Sequence, residues 1–242
     1  MKQAFLFLAL LFWTRFLLAQ EPDVVREPKV AVCMDVFGHN YGLGLGLDFW
    51  KLSGKKAITA HAQISSFKDR HETKINSVYD DQGGKSFIYD KKNYFYSVSA
   101  VVGMSKEVLA RSQNNRVGIR VGGALGIALG MLKPYYVQVA IPTSGGKGEI
   151  REMPYDNATL NFTDIYGEGD YFLGVSEMKF VPGLSARGSC MFDFSQNLDY
   201  IRGIELFLFA DIYPKKIEIL DAGKNNMLFL GAGLSIQIGN TW

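Results

Sequence analysis

Nine ionisable side chains of this chain occur in the same kind of sequence pattern. Each lies in a stretch where large apolar residues alternate with small or polar ones. Carboxylates, arginines and a histidine placed in this way can form ion pairs, conduct protons or ions, or act as general acid and base. Because an unpaired buried ion is costly, we expect an ion-pair network inside the fold, with conduction as the alternative role. Its members are Asp35, Asp48, His61, Arg116, Arg120, Arg187, Asp193, Glu205 and Asp211.

The histidines do not indicate an enzyme. His39 lies in a predicted turn, and His71 lies in a charged loop. A hydrolase would need a histidine or carboxylate set beside an exposed nucleophile, and no histidine of this chain belongs to a hydrolase motif. We therefore predict that the chain is not an enzyme; a barrel enzyme acting on lipid or peptide is the less favoured hypothesis.

No pattern for a metal or cofactor stands out. The two cysteines, Cys33 and Cys190, have no zinc-type spacing, and we expect two separate small hydrophobic residues rather than a disulfide. The acidic segments 80–84 and 164–170 do not place oxygen ligands in the order of an EF-hand loop. The glycines of 42–46 lack the spacing of a dinucleotide fingerprint. The sequence therefore predicts no metal and no cofactor.

The alternation is clearest in the stretch 116–131, RVGIRVGGALGIALGM. Its odd positions are mostly large and apolar, and its even positions are glycine, alanine and two arginines. In a β-strand these two sets point to opposite faces. A transmembrane barrel turns the large apolar face to lipid and fills a narrow lumen with small residues and paired charges. The stretch therefore predicts an all-β fold, an antiparallel up-and-down transmembrane β-barrel.

About eight strands follow the same division of faces. We place them near residues 29–37, 42–50, 57–67, 94–104, 116–131, 179–194, 204–212 and 228–238. With the N-terminus in the periplasm, three connections at the outer side (68–92, 133–178 and 214–226) are the longest in the chain, as expected for external loops. The apolar run 135–141 is expected to extend within the third external loop rather than to form a ninth barrel strand. A soluble periplasmic ligand-binding barrel is the alternative, and it requires the large apolar face to point inward.

The first residues predict export. Residues 1–19 carry Lys2 before an apolar run and read as a signal peptide, although Arg15 is atypical. The remaining 20–242 suit one outer-membrane barrel domain. A formal net charge of +2 gives no reason to expect a nucleic-acid partner.

Two further features concern partners. Trp242 lies in phase with the lipid-facing set and is interpreted as an assembly signal for the barrel-assembly machinery, with outer-membrane lipid as the surrounding partner. Aromatic residues of the long third loop suit a contact surface, an aromatic girdle near the membrane, or loops packed over the barrel mouth. This possible loop contact surface comprises Tyr135, Tyr136, Tyr155, Tyr166, Tyr171 and Phe172.

Four segments carry a resemblance to a known class of proteins: 85–89 (KSFIY), 132–136 (LKPYY), 179–184 (KFVPGL) and 213–216 (YPKK). With them, the mature chain resembles small porin-like outer-membrane β-barrels of Gram-negative bacteria, in particular those of the Bacteroidota type. Some small barrels of that lineage are accessory parts of secretion machinery. The resemblance thus implies a structural or accessory role, with the external loops contacting a partner such as a secretion or envelope complex. A small channel is the runner-up function.

Overall fold

A computed structural model describes residues 29–110, 117–141, 149–156, 158–195, 200–223 and 225–242. The described chain is built almost entirely from β-strands. In chain order these strands are β1 (Lys29–His39), β2 (Gly42–Ser53), β3 (Lys56–Phe67), β4 (Thr73–Ile75), β5 (Phe87–Tyr89), β6 (Asn93–Leu109), β7 (Gly118–Pro134), β8 (Tyr136–Ile141), β9 (Glu149–Pro154), β10 (Ile165–Glu168), β11 (Lys179–Asp193), β12 (Tyr200–Ile217) and β13 (Asn226–Thr241). Within these residues, no helix has both the length and the apolar character needed to cross a membrane.

Eight of these strands form a closed antiparallel barrel in the order β1-β13-β12-β11-β7-β6-β3-β2. Each barrel strand pairs with the next barrel strand along the chain, and β13 returns to pair with β1, for example through Met34 and Ile238. The predicted up-and-down barrel of about eight strands is therefore confirmed.

The two faces of the wall differ as the alternation predicts. In β7, Leu125 is 72% exposed and Ile127 is 66% exposed, whereas Ala128 between Ile127 and Leu129 is buried. The large apolar residues of the other barrel strands also point outward, among them Met34, Val36, Leu43, Leu45, Leu184, Leu208, Leu230 and Ile238. An inward-facing apolar set, which a soluble ligand-binding barrel requires, is contradicted by this exposure.

Small residues on the inner face allow neighbouring strands to approach closely. A Cβ added at Gly126 would overlap the backbone of Ala100 and Val101 in β6, and one added at Gly103 would overlap the backbone of β7. Gly188, in contrast, faces open space. The glycine alternation of the sequence thus reflects both a small inner face and tight contacts within the wall.

The connections differ in part from the sequence expectations. The loops 68–92 and 133–178, expected to be irregular, contain β4 and β5 in one small sheet and β9, β8 and β10 in another. The run 135–141 forms β8 of the second sheet and is not a barrel strand, as expected. Strand β12 continues past Pro214 to Ile217 instead of ending at residue 212, because the proline falls where regular pairing with β13 has already been interrupted after Ile212.

The contact at Gly126 gives the first testable prediction. We expect Gly126→Ala to destabilise the folded barrel by about 1–3 kcal/mol, because the added methyl group must displace backbone atoms of β6. The matched control Gly188→Ala, on the neighbouring strand, should leave the free energy of unfolding nearly unchanged. Urea unfolding of both variants in detergent micelles measures this difference, and equal stabilities would contradict the close approach of β6 and β7.

Candidate functional site

The lumen, meaning the interior of the barrel, is filled in three layers. At the end of the barrel that holds Lys29 and Trp242, which we call the terminal end, lies a small apolar cluster of Ala31, Cys33, Trp50, Met191 and Ile201. At the loop end lies a larger aromatic cluster that includes Phe37, Phe67, Phe95, Phe207, Phe209, Tyr213 and Phe229. Along β1 the inward side chains therefore change from apolar at Cys33, through Asp35, to aromatic at Phe37. The charged layer lies between two apolar ones.

Arg187 is the central cation of the charged layer. Its Nη2 donates to Glu205 Oε2 at 3.0 Å, and its Nη1 donates to Gln63 Oε1 at 2.9 Å. The same Nη1 lies 3.3 Å from His61 Nε2. Its guanidinium carbon also lies 3.8 Å from the ring centroid of Phe207, so it contacts the aromatic layer as well. Because Arg187 and Glu205 are both buried, their pairing offsets the cost of removing each charge from water.

The remaining carboxylates are connected through neutral side chains. His61 Nδ1 lies 3.0 Å from Asp48 Oδ1. Gln237 Nε2 bridges Asp48 Oδ2 at 3.2 Å and Glu205 Oε2 at 2.7 Å. Asp35 Oδ2 accepts a hydrogen bond of 2.9 Å from Ser235 Oγ. Six side chains, those of Asp48, His61, Gln63, Arg187, Glu205 and Gln237, thus form one connected network, and the Asp35–Ser235 pair lies beside it.

Five of the nine predicted network residues are brought together: Asp35, Asp48, His61, Arg187 and Glu205. Three others, namely Asp211, Arg120 and Asp193, lie outside this group; Asp193, at the end of β11, accepts from Ser195 N at 2.8 Å. Asp211 is buried nearer the loop end and accepts from Ser185 Oγ at 2.6 Å. Arg120 lies nearer the termini, over the ring of Trp50, and interacts electrostatically with Glu107 and Asp193. The ninth residue, Arg116, lies outside the described residues.

The search for ionisable residues missed the neutral members Gln63, Ser235 and Gln237. Each stands at an inward position of its strand, in phase with the charged residues, and this phase was readable in the sequence. A cavity of about 40 Å³ lies beside the network, bordered by Asp48, His61, Arg187, Glu205 and Gln237 among others. It has room for water or a small ion, since one water needs about 10–15 Å³ of such space.

The long loops 68–92 and 133–178 form a second folded region, which we call the loop cap: strands β4, β5, β8, β9 and β10 with the other described residues of these two loops. It has a core of its own, made of Phe87, Tyr135, Val137, Val139, Tyr155 and Ile165. Hydrogen bonds join its two sheets: Ser77 Oγ donates to the carbonyl of Ile165 at 2.6 Å, and the Tyr166 hydroxyl donates to the carbonyl of Gln82 at 2.8 Å. The cap is therefore an ordered body.

A buried ion pair supports the cap. Lys91 Nζ donates to Glu72 Oε2 at 2.8 Å, and the lysine side chain is almost fully buried. Burial lowers the pKa of Lys91, and the Glu72 carboxylate opposes that shift. The loop 214–226 is attached at the same place, since Ala222 N donates to the Asp90 carboxylate at 3.0 Å.

The six predicted contact aromatics divide into buried, half-buried and exposed pairs. Tyr135 and Tyr155 are buried in the cap core, where their hydroxyls accept hydrogen bonds from the backbone N–H groups of Ile88 and Asp90; they are not surface residues, contrary to the sequence expectation. Tyr136 and Tyr166 are half-buried. Of these six residues, only Tyr171, 50% exposed, and Phe172, 76% exposed, offer aromatic surface.

Two further predicted features are located. Trp242 is exposed on the outer face at the terminal end of the wall, where its backbone pairs with Val30. Cys33 and Cys190 are both free and belong to β1 and β11, which are not neighbours in the barrel.

Comparison with known proteins yields structural likeness only. No family model and no curated protein matches the chain. Among solved structures, it is similar to Ail, the attachment invasion locus protein of Yersinia pestis, at 8% identity, covering 90% of this chain and 100% of that one with a TM-score of 0.41. Neisserial surface protein A matches at 8% identity, 88% and 95% coverage and a TM-score of 0.39. The outer membrane protein OprG of Pseudomonas aeruginosa matches at 8% identity, 92% and 99% coverage and a TM-score of 0.36.

The network predicts how single and paired substitutions differ. We expect Arg187→Met to lower the free energy of unfolding by about 3–5 kcal/mol, because it leaves Glu205 buried without its cation. The double variant Arg187→Met with Glu205→Gln removes both charges and should recover most of that loss. Unfolding in micelles measures both, and a double variant no more stable than Arg187→Met would contradict the pairing.

Proposed function

We propose that the chain is a non-enzymatic outer-membrane barrel that presents its loop cap to another protein of the cell envelope. The single observation that carries this proposal is the combination of an apolar outer wall with a separately folded cap at one end. The wall supports a membrane location, and the cap supports a contact role.

The outer wall suits lipid better than water. Its exposed residues are large and apolar on all eight barrel strands, whereas soluble proteins rarely expose large continuous apolar surfaces. The shortest barrel strand, β1, has 11 residues, and a tilted strand needs about 9–11 to cross the hydrocarbon region. Strands β6, β7 and β12 have 17, 17 and 18 residues, so they extend beyond the membrane and support the cap.

The filled lumen favours a structural role over a channel. Among the described residues, one aromatic and one apolar cluster lie on either side of the charged network. The ion pair of Arg187 with Glu205 and the bridging Gln237 occupy the middle. An ion crossing this barrel would have to displace packed side chains and break these contacts, which supports a closed barrel.

The cap offers an exposed apolar surface on an ordered support. Phe172, Tyr171 and Val175 are exposed together in the segment before β11. The backbone under this segment is held, because Phe172 N donates to Asp170 Oδ1 at 2.9 Å and Asp170 N donates to Glu152 Oε1 at 3.1 Å. Exposed aromatic residues on a fixed backbone are typical of the residues that contribute most to protein contacts.

The membrane location is tested by placing a charge on the wall. Arginine at the bilayer centre costs about 2–4 kcal/mol and near an interface about 0–1 kcal/mol. We therefore expect Ile127→Arg, in the middle of β7, to reduce the amount of protein in the outer-membrane fraction. Val30→Arg, an exposed site at the terminal end of β1, is the matched control and should assemble normally. Fractionation and heat-dependent gel mobility measure assembly; equal behaviour of the two variants would refute a lipid-facing wall.

The contact role is tested by photo-crosslinking in intact cells. A benzophenone side chain placed at Phe172 should give discrete higher-mass products that contain one envelope protein. The same side chain at Leu125, on the outer wall, should give none of those bands because it faces lipid. Absence of products from Phe172 in correctly assembled protein, or the same products from both sites, would contradict a cap-mediated contact.

A further inference from the structure

One carboxylate oxygen of the lumen layer has no hydrogen-bond partner among the described residues. Asp35 is 2% exposed, and its Oδ2 accepts the hydrogen bond from Ser235. Its other oxygen, Oδ1, has no hydrogen-bond partner among the described residues. A buried carboxylate oxygen left in this way is costly, so its position points to a ligand that the protein side chains do not supply.

The unpartnered oxygen belongs to a compact set of metal-ligand groups. Asp35, Asp48 and His61 are all buried, and each offers one ligand atom within 4.8 Å of the others. They lie on the neighbouring strands β1, β2 and β3, with Asp35 opposite Gly46 and Asp48 opposite His61. Because Gly46 has no side chain, the Asp35 carboxylate and the His61 ring can approach each other; a Cβ at position 46 would contact Asp35 Oδ1 and His61 Cε1.

We propose that these three residues form a divalent metal site of the zinc class, with Asp35 Oδ1, Asp48 Oδ1 and His61 Nδ1 as protein ligands. Nitrogen and carboxylate oxygen are ligands that zinc accepts in tetrahedral sites. His61 Nδ1 and Asp48 Oδ1 are 3.0 Å apart. Two ligands at about 2.0–2.1 Å from zinc are separated by about 3.3 Å in a tetrahedron, so this pair needs only a small adjustment.

The second nitrogen of His61 is oriented as in metal-bound histidines. His61 Nε2 lies 3.0 Å from Gln63 Oε1, so the tautomer that carries its proton on Nε2 can donate to this oxygen and leaves the Nδ1 lone pair for the metal. The same Gln63 oxygen accepts from Arg187 Nη1 at 2.9 Å. Arg187 therefore has its own acceptor and does not require the imidazole lone pair. Gln63 acts as a positioning residue for His61.

The charges of the network also suit a divalent cation. Asp35, Asp48 and Glu205 are opposed by Arg187, which leaves two negative charges when His61 is neutral. Arg120, another cation beside the cavity, interacts with Glu107 and Asp193 instead. A divalent ion would neutralise the network, and the adjoining cavity of about 40 Å³ can hold a water as a further ligand. Two extra protons are the competing way to neutralise it.

Zinc retention by the full barrel without an affinity tag tests whether a metal ion, and not two added protons, neutralises the charges of the network. The protein is refolded into micelles with Zn²⁺ present, because apolar layers close the described lumen, and is then passed over chelating resin. We expect about one zinc per chain in the wild type, loss of zinc in Asp35→Asn and His61→Gln, and about 10–100-fold weaker binding in Gln63→Leu. Asp211→Asn, a buried carboxylate six residues along β12 from Glu205, is the matched control and should retain zinc. His71→Ala removes the exposed imidazole and should also retain it.

Heat-dependent gel mobility identifies variants that fail to fold. If a variant does not fold, Co²⁺ binding by the wild type still tests the site. Refolding with Co²⁺ should give the visible absorption bands of tetrahedral Co²⁺ bound by nitrogen and oxygen. Less than about a tenth of a zinc per chain in the wild type would overturn the site, because a built site of three protein ligands binds stoichiometrically. Loss of zinc in His71→Ala, equal retention by folded Asp35→Asn, or absence of the Co²⁺ bands would overturn it as well.

Discussion

The pairing of β1 with β13 is the interaction on which the rest of the structure depends. It closes the sheet, so the backbone groups of the wall find partners without a free edge strand. Closure also leaves each wall residue only two environments, inside or outside. A slip of one residue in any pair would move the apolar set inward and the charges outward, which fixes the register of the whole barrel.

Closure with eight strands makes the lumen narrow, and this width explains how its charges are arranged. A small lumen must be filled by side chains, and the charges within it must be paired there. Arg187 meets both requirements: it binds Glu205 and Gln63 in the polar layer and packs on the Phe207 ring of the aromatic layer. Gln237 joins two carboxylates that would otherwise repel each other. The polar layer and the aromatic layer are therefore joined through the side chain of Arg187.

Period-two alternation was sufficient to predict the eight barrel strands and the facing of residues such as Ile127 and Ala128, because lipid and lumen impose opposite size requirements at every step. It could not predict which inward residues meet across the barrel. That depends on the register between strands distant in sequence, as for Arg187 with His61 and Gln63. The cap strands were missed because their short pairings follow from tertiary packing; Tyr135 and Tyr155 are buried by contacts with residues 88 and 90 that no local pattern indicates.

The outer ends of the longest barrel strands connect the barrel to the loop cap. Strands β6, β7 and β12 are longer than a membrane crossing requires, so their outer ends supply a rigid base for the loops. On that base, Tyr94 donates to Glu168 from the barrel side, and Asn93 Nδ2 donates to the carbonyl of Glu218 at 2.7 Å. Loops held by such contacts lose little conformational entropy when they bind a partner. A surface that includes Phe172 is therefore better suited to a specific contact on this ordered cap than it would be on a flexible loop.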